Sequence, residues 1–492
     1  MKNIMILHKK IVVLLIVAGA FMLPTGCRKE LLDQAPVNNL SDKTIFATPD
    51  RFLSLINGIY DQVKSGQHYG GRFIVYGDIR AEEFLNETGN GVTGLQTWNH
   101  TVIESSNEVN NLWNACYTAI NSCNIFIEGA DINRAVVNND ALVNQYIAEA
   151  KFVRALCYHT LLRMYAQPYA VNNGGSLGVP LRIRAEVGPG NNDLARSSVA
   201  EVTAQILDDL NSAEANLAAT NGSGLLNVTR AHKNAAIALK VRVYMGMQQY
   251  GNAISEANKI VPTAAPFKAA SGVAHELQAN VKNVFTTPYT TTESIFSMPF
   301  TTNDLPGVQN GLGSYYNPGP RGIGDFSLNP AGIIGDSVAF PGNDARRQFV
   351  LMHTNNKPYL NKFPTGPEHL DYAPVLRYAE VLLSLAEAEA RANGVSQRSV
   401  DLLNAIRIRS NASATPYTTA DFADGNALAN IILKERRVEL LGEGFRAFDL
   451  QRLVADIPGK ANVASVLTSV SEYIWPIPSG EIAVNKACVQ NP

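Results

Sequence analysis

Histidine, cysteine, excess charge of one sign and long apolar runs are all scarce in this chain. Basic and acidic residues nearly balance, 41 Lys and Arg against 43 Asp and Glu, so the basic footprint of a nucleic-acid binder is missing. No nucleic-acid partner is expected. Only 8 histidines occur in 492 residues. His275-Glu276 opens like a zinc-protease helix, but position 279 is alanine and the second histidine ligand is absent. Gly459-Lys460 has no glycine five places before it and no Ser or Thr after it, which excludes a P-loop. His68, His100, His353 and His369 fall in loop-like sequence and read as solvated. Glu82 and Glu83 are adjacent on a loop, where two carboxylates rarely converge on one reacting atom. No catalytic residue, metal ligand or cofactor motif emerges, and a binding protein is expected rather than an enzyme.

Cysteine is equally sparing, with 5 in all. Cys116 and Cys123 are seven apart on a predicted helix, about 10 Å along its axis, too far for a disulfide. Cys157 lies mid-helix and Cys488 near the tail. Buried free thiols are expected, with a Cys157–Cys488 bridge left open.

The one apolar run at the start, residues 11–23, is too short to span a bilayer. Lys2, Lys9 and Lys10 precede it, so residues 1–26 read as a signal peptide. The run ends in Leu23-Pro-Thr-Gly-Cys27. A small residue directly before cysteine resembles a lipoprotein signal, in which Cys27 is acylated and becomes the first residue. Pro24 departs from that pattern, because leucine is usual at the third position before the cysteine. Arg28, Lys29 and Glu30 follow, with no aspartate directly after Cys27.

What is abundant is helical periodicity. Phe52, Leu55, Ile56, Ile59 and Tyr60 fall on one helical face. Residues 112–128 and 142–165 read as further helices, and Ser198-Val-Ala-Glu201 is a capping box opening another. Gly246, Tyr250, Ala253 and Ala257 resemble a tetratricopeptide helix pair, with glycine where two helices approach. Two stretches break the pattern. Residues 65–111 hold scattered glycines and aromatics and read as a long loop with one or two short strands. Residues 299–342 hold six prolines and nine glycines, which makes regular helix improbable. Loops this long are uncommon and often functional.

Residues 431–453, IILKERRVELLGEGFRAFDLQRL, combine apolar residues all round a helix with Glu435, Arg436, Arg437 and Glu439. Such a helix is buried, and its charges must be paired. Arg436 and Glu439 are placed to meet at i,i+3, and Gly442 and Gly444 end the helix in the left-handed conformation. A structural clamp is expected there.

This stretch resembles the C-terminal signature of the SusD/RagB family, surface nutrient-binding lipoproteins of Bacteroidetes-type bacteria. Other segments carry the same resemblance. They are WNACYTAINSCN and AKFVRALCYHTLLRMY, Asp344-Ala-Arg346, LRYAEVLLSLAEAEAR, and a closing Pro476-Ile-Pro478, Glu481-Ile482 and Gln490-Asn-Pro492. It covers residues 27–492, read as a single domain with an N-terminal region 27–225 and a C-terminal region 280–492. The resemblance implies a mostly α fold: a tetratricopeptide-like helix-pair scaffold, long ligand-binding loops and a few short strands. It implies a cell-surface lipoprotein of the outer membrane that captures a glycan or oligosaccharide. That ligand would pass to a SusC-like TonB-dependent transporter. A peptide ligand is the alternative, and a hydrolase a more distant one.

Sugar rings stack on flat aromatics and bond planar polar groups. Trp98, in the glycine-rich loop, is therefore a candidate ligand platform, with Asn99 and Arg80 as polar partners and Tyr315 or Tyr316 facing it from the second long loop. Trp113 and Trp475 are expected in the core.

Overall fold

Most of the predicted helices form where the periodicity places them. The computed structural model describes residues 45–188, 190 and 192–491. The signal segment and Cys27 lie outside the described residues. The helices α1 (Pro49–Val63), α2 (Arg72–Ile79), α3 (Leu95–Asn99), α4 (Asn107–Ile132) and α5 (Asp140–Tyr165) come first. The helices α6 (Val199–Asn216), α7 (Lys233–Gly246), α8 (Tyr250–Ala257) and α9 (Leu312–Tyr316) follow. The C-terminal part holds α10 (Tyr378–Asn393), α11 (Gln397–Ser410), α12 (Gly425–Glu439) and α13 (Arg446–Arg452), with a short helical turn at Ser479–Val484 after them. The fold is mostly helical, as the sequence pattern implies.

Each long helix packs on the next, α4 on α5, α5 on α6, α6 on α7 and α7 on α8. Helix α8 then meets α10, which packs on α11 and α12 and so joins the two halves of the chain. Residues Thr48–Pro492 form one compact unit. The capping box at α6 is complete, with the Ser198 hydroxyl and the Glu201 carboxylate each satisfying the other's backbone N–H. Trp113 and Trp475 are buried, and Cys116, Cys123, Cys157 and Cys488 are buried free thiols, so no Cys157–Cys488 bridge forms. Gly246 is not a contact point between helices: a Cβ there would meet nothing within 4 Å.

Among the described residues, eight short strands pair as antiparallel ribbons. They are β1 (Phe84–Asn86), β2 (Leu177–Pro180), β3 (Arg196–Ser198), β4 (Ser294–Met298), β5 (Phe326–Leu328), β6 (Val350–Met352), β7 (Pro358–Leu360) and β8 (Ala373–Arg377). Ribbon β1·β5 pairs Phe84 with Leu328 and Asn86 with Phe326, so it ties the two long irregular stretches together. The first stretch is more helical than its glycines imply, since it contains α2 and α3. Tertiary packing supports them: a Cβ on Gly77 in α2 would lie 2.3 Å from the Gly444 carbonyl oxygen, so only glycine lets α2 approach the turn after α12.

That turn ends α12 as its glycines require, with φ +82° at Gly442 and +80° at Gly444. The charged residues of α12 are paired, but not with each other. Arg436 binds Asp449 at 2.7 Å, rather than Glu439. Glu439 receives Arg346, Arg377 and Arg409 at 3.1, 3.1 and 2.7 Å. Arg377 also holds Glu293 and Glu443, and Lys362 binds Glu443 at 2.8 Å. Burial alone would raise the Glu439 carboxyl, but Arg409, Arg377 and Arg346 hold it well below the usual carboxylate range. The clamp therefore joins β8, α11, α12 and the Asp344-Ala-Arg346 turn.

Candidate functional site

The two long stretches converge around Phe84. Its ring packs 5.0 Å from Tyr316, and its carbonyl accepts the Trp98 indole N–H at 2.8 Å. The two loops singled out in the sequence do meet, but their aromatics face inward. Trp98 is only 6% exposed, and Tyr315 and Tyr316 are fully buried in α9. The expectation of an open aromatic platform is corrected here. Helix α3 folds onto Glu108 of α4, whose carboxylate accepts the Gln96 and Thr97 amides, and this turns the indole under the loop. A buried indole N–H needs an acceptor, and Phe84 supplies it. The Tyr316 hydroxyl donates to Asp78 at 3.1 Å, and burial pushes that carboxyl up to about 8. The Tyr315 hydroxyl donates to the Gln309 carbonyl.

Arg80, also singled out, is buried too; its guanidinium donates to the Tyr473 carbonyl at 2.7 Å. Asn99 is half-buried at the surface end of α3. His100 follows it at φ +57°. His68 is not solvated as its loop position implies. It is fully buried against Thr160 at 3.0 Å, and burial lowers it to about 3.

Sequence reasoning passed over the group above these residues. The segment 457–466 closes as a hairpin, bridged between Ile457 and Val466 and between Lys460 and Val463. It carries Lys460 back over the loop. The Lys460 ammonium donates to the Arg80 carbonyl at 2.9 Å, lies 3.4 Å from His100 Nε2 and sits 5.5 Å above the Trp98 ring. Burial and the neighbouring Arg80 charge lower the amine to about 7. Burial, with Lys460 and Arg80, holds His100 at about 2. The one signal available was the Gly459-Lys460 pair, which the missing P-loop glycine set aside.

Beside Lys460 opens a cavity of about 650 Å³. Leu85, Asn329, Pro458 and Ser465 line it, with Glu82 at its edge. Glu82 and Glu83 do converge, on cations: both hold Arg437, at 2.9 and 2.6 Å, and Glu82 also binds Arg446 at 2.6 Å. Burial would raise the Glu82 carboxyl, but the Arg446 and Arg437 charges outweigh it and hold it down. These carboxylates anchor the cavity to α12 and α13. Among the described residues no group of three His, Cys, Asp or Glu is placed to hold a metal ion. No helix among them is long and apolar enough to cross a membrane.

Two family models match the chain. One, described as the SusD family, matches residues 327–492. The other, described as starch-binding associating with outer membrane, matches residues 30–245. A SusD-like protein P2 of Formosa agariphila is 24% identical, over 95% of this chain and 96% of that one. A solved SusD superfamily protein of Bacteroides fragilis is 31% identical, covers 90% of this chain and 99% of its own, and superposes with a TM-score of 0.81. A SusD-like carbohydrate binding protein of Bacteroides vulgatus shares the fold at 16% identity, covering 90% of this chain and 97% of its own with a TM-score of 0.75. The likeness to the Bacteroides fragilis protein spans 90% of this chain, and the chain belongs to the SusD family.

Proposed function

We propose that this protein is a cell-surface lipoprotein that binds a glycan or oligosaccharide and passes it to a SusC-like TonB-dependent transporter of the outer membrane. The observation that carries the reading is the cavity beside Lys460. Its volume of about 650 Å³ lies in the range of small-molecule sites. Its lining mixes apolar Leu85 and Pro458 with Asn329, Ser465 and the Lys460 amine, groups that match the C–H faces and hydroxyls of a sugar. Of the residues singled out in the sequence, Asn99 is half-buried at the end of α3 and does not line this cavity. Trp98 and Arg80 act through Lys460, which rests on the indole ring and the Arg80 carbonyl. Tyr315 and Tyr316 hold the second loop against α2. The family names recorded for its relatives, starch-binding and carbohydrate binding, favour a glycan.

The test is calorimetry of the whole protein against a panel of oligosaccharides, repeated with Lys460→Ala and Asn329→Ala. Losing a hydrogen bond from a charged donor costs about 1.5–3 kcal/mol, so Lys460→Ala should weaken binding roughly tenfold to hundredfold. Glycan binding that both folded variants leave unchanged would remove this cavity from the site. Binding of peptides and of no glycan would replace the glycan with a peptide ligand.

A further inference from the structure

A second cleft, of about 110 Å³, opens between α5, α6, α7 and α13, and it shares no lining residue with the cavity at Lys460. Its walls are of two kinds. Leu162, Val199, Ile206, Val243 and Met245 form an apolar side. The other side is basic, with Arg163, Arg242, Arg436 and Arg452.

Three of these guanidiniums are matched. Arg242 binds Glu380 at 2.6 Å, Arg436 binds Asp449 at 2.7 Å, and Arg452 binds Glu387 and Asp449 at 2.6 and 2.9 Å. Glu387 also takes Arg391 at 2.8 Å. Five guanidiniums thus face three carboxylates, an excess of two positive charges. Arg163 is the unmatched one: no carboxylate among the described residues lies within ion-pair distance of it. Its guanidinium carbon lies 3.5 Å from the Phe448 ring centroid, so a face is occupied by the aromatic ring. The N–H donors around its edge stay without an acceptor among the described residues. The side chain is half-buried, and desolvation lowers this group to about 9. His159, 8% exposed, also lines the cleft, and its Nδ1 is buried without a hydrogen-bond partner.

We infer that this cleft binds a small aliphatic monocarboxylate, its carboxylate on the edge of Arg163 and beside His159 Nδ1, its short chain against the apolar wall. The volume sets the size: an apolar cavity of about 150 Å³ accepts a benzene-sized guest, so about 110 Å³ suits an acid of about four carbons. A half-buried guanidinium whose edge has no protein acceptor is open to a ligand, and a carboxylate fits its plane with a two-point bond. The half-buried rim at Gln167, Tyr169 and Met247 leaves a way in.

The full-length protein should be titrated with butyrate, with 1-butanol as the neutral isostere and with inorganic phosphate as the apolar-free anion. Saturable butyrate binding is expected, with none for 1-butanol. Arg163→Gln should weaken butyrate at least tenfold while circular dichroism stays unchanged. Met247→Trp, which narrows the mouth without touching the basic wall, should do the same and decides the matter if Arg163→Gln misfolds. Absence of saturable butyrate binding, or undiminished binding in the folded variants, would overturn the site. Tighter binding of phosphate than of butyrate would overturn its assignment to a carboxylate.

Discussion

Lys460 is the side chain through which pH reaches the candidate glycan site. Unfolded, its amine holds a proton up to the ordinary value of 10.5, but burial in the fold lowers it to about 7. Between those limits the unfolded chain binds more protons than the folded one, so this group makes stability rise as pH increases from about 7 to 10.5. Below about 7 the cost of burying the cation is fully present. Lys460→Met removes that cost but not the pH-independent packing. Its stability relative to the parent should therefore be greater at pH 6 than at pH 10, by about 4 kcal/mol in denaturant unfolding. An equal gap at both pH values would show that the amine is not buried as a cation. None of this was legible in the sequence. Lys460 sits far along the chain from Arg80, Trp98 and His100, and only the hairpin at 457–466 brings it back to them.

Helix α12 shows what a pattern can and cannot say at the level of an element. Its mixture of apolar and charged residues demanded a buried, paired helix, and Glu435, Arg436 and Glu439 are buried and paired. The partners could not be read, because an i,i+3 rule speaks only of neighbours on one helix. Glu439 is claimed by Arg346, Arg377 and Arg409, which come from three other segments. Glu439→Ala should destabilise the protein by about 3–5 kcal/mol in chemical denaturation, since it strands several buried cations at once. Loss of ligand binding without loss of stability would instead place this cluster in the site. The polar stripe on α10 has a similar logic. Glu380, Ser384 and Glu387 meet Arg242, Arg436 and Arg452 in turn, so one helix face organises the charges of three others.

At the level of the whole molecule, the proposed role needs an anchor and a transporter. Cys27 supplies the first in the sequence reading, though it lies outside the described residues. Cys27→Ala should move the protein out of the membrane fraction. Mild crosslinking of the parent in detergent should recover a large outer-membrane barrel protein, which the variant should lose. A variant that stays in the membrane fraction would refute the anchor.

The sequence by itself determined the family, the helical scaffold and the paired-charge character of α12, because periodicity, caps and motifs act over a few residues. It also marked the two long irregular stretches as partners, and ribbon β1·β5 joins them. Only the tertiary structure decided which way their side chains face. A tryptophan in a glycine-rich loop looks exposed until the stretch folds back on itself, so that Glu108 holds the α3 amides and the Phe84 carbonyl accepts the indole. The same holds for Lys460 and for Arg163, whose surroundings are assembled from helices remote in the chain. Exposure and charge balance are sums over neighbours in space, and a linear pattern does not contain those neighbours.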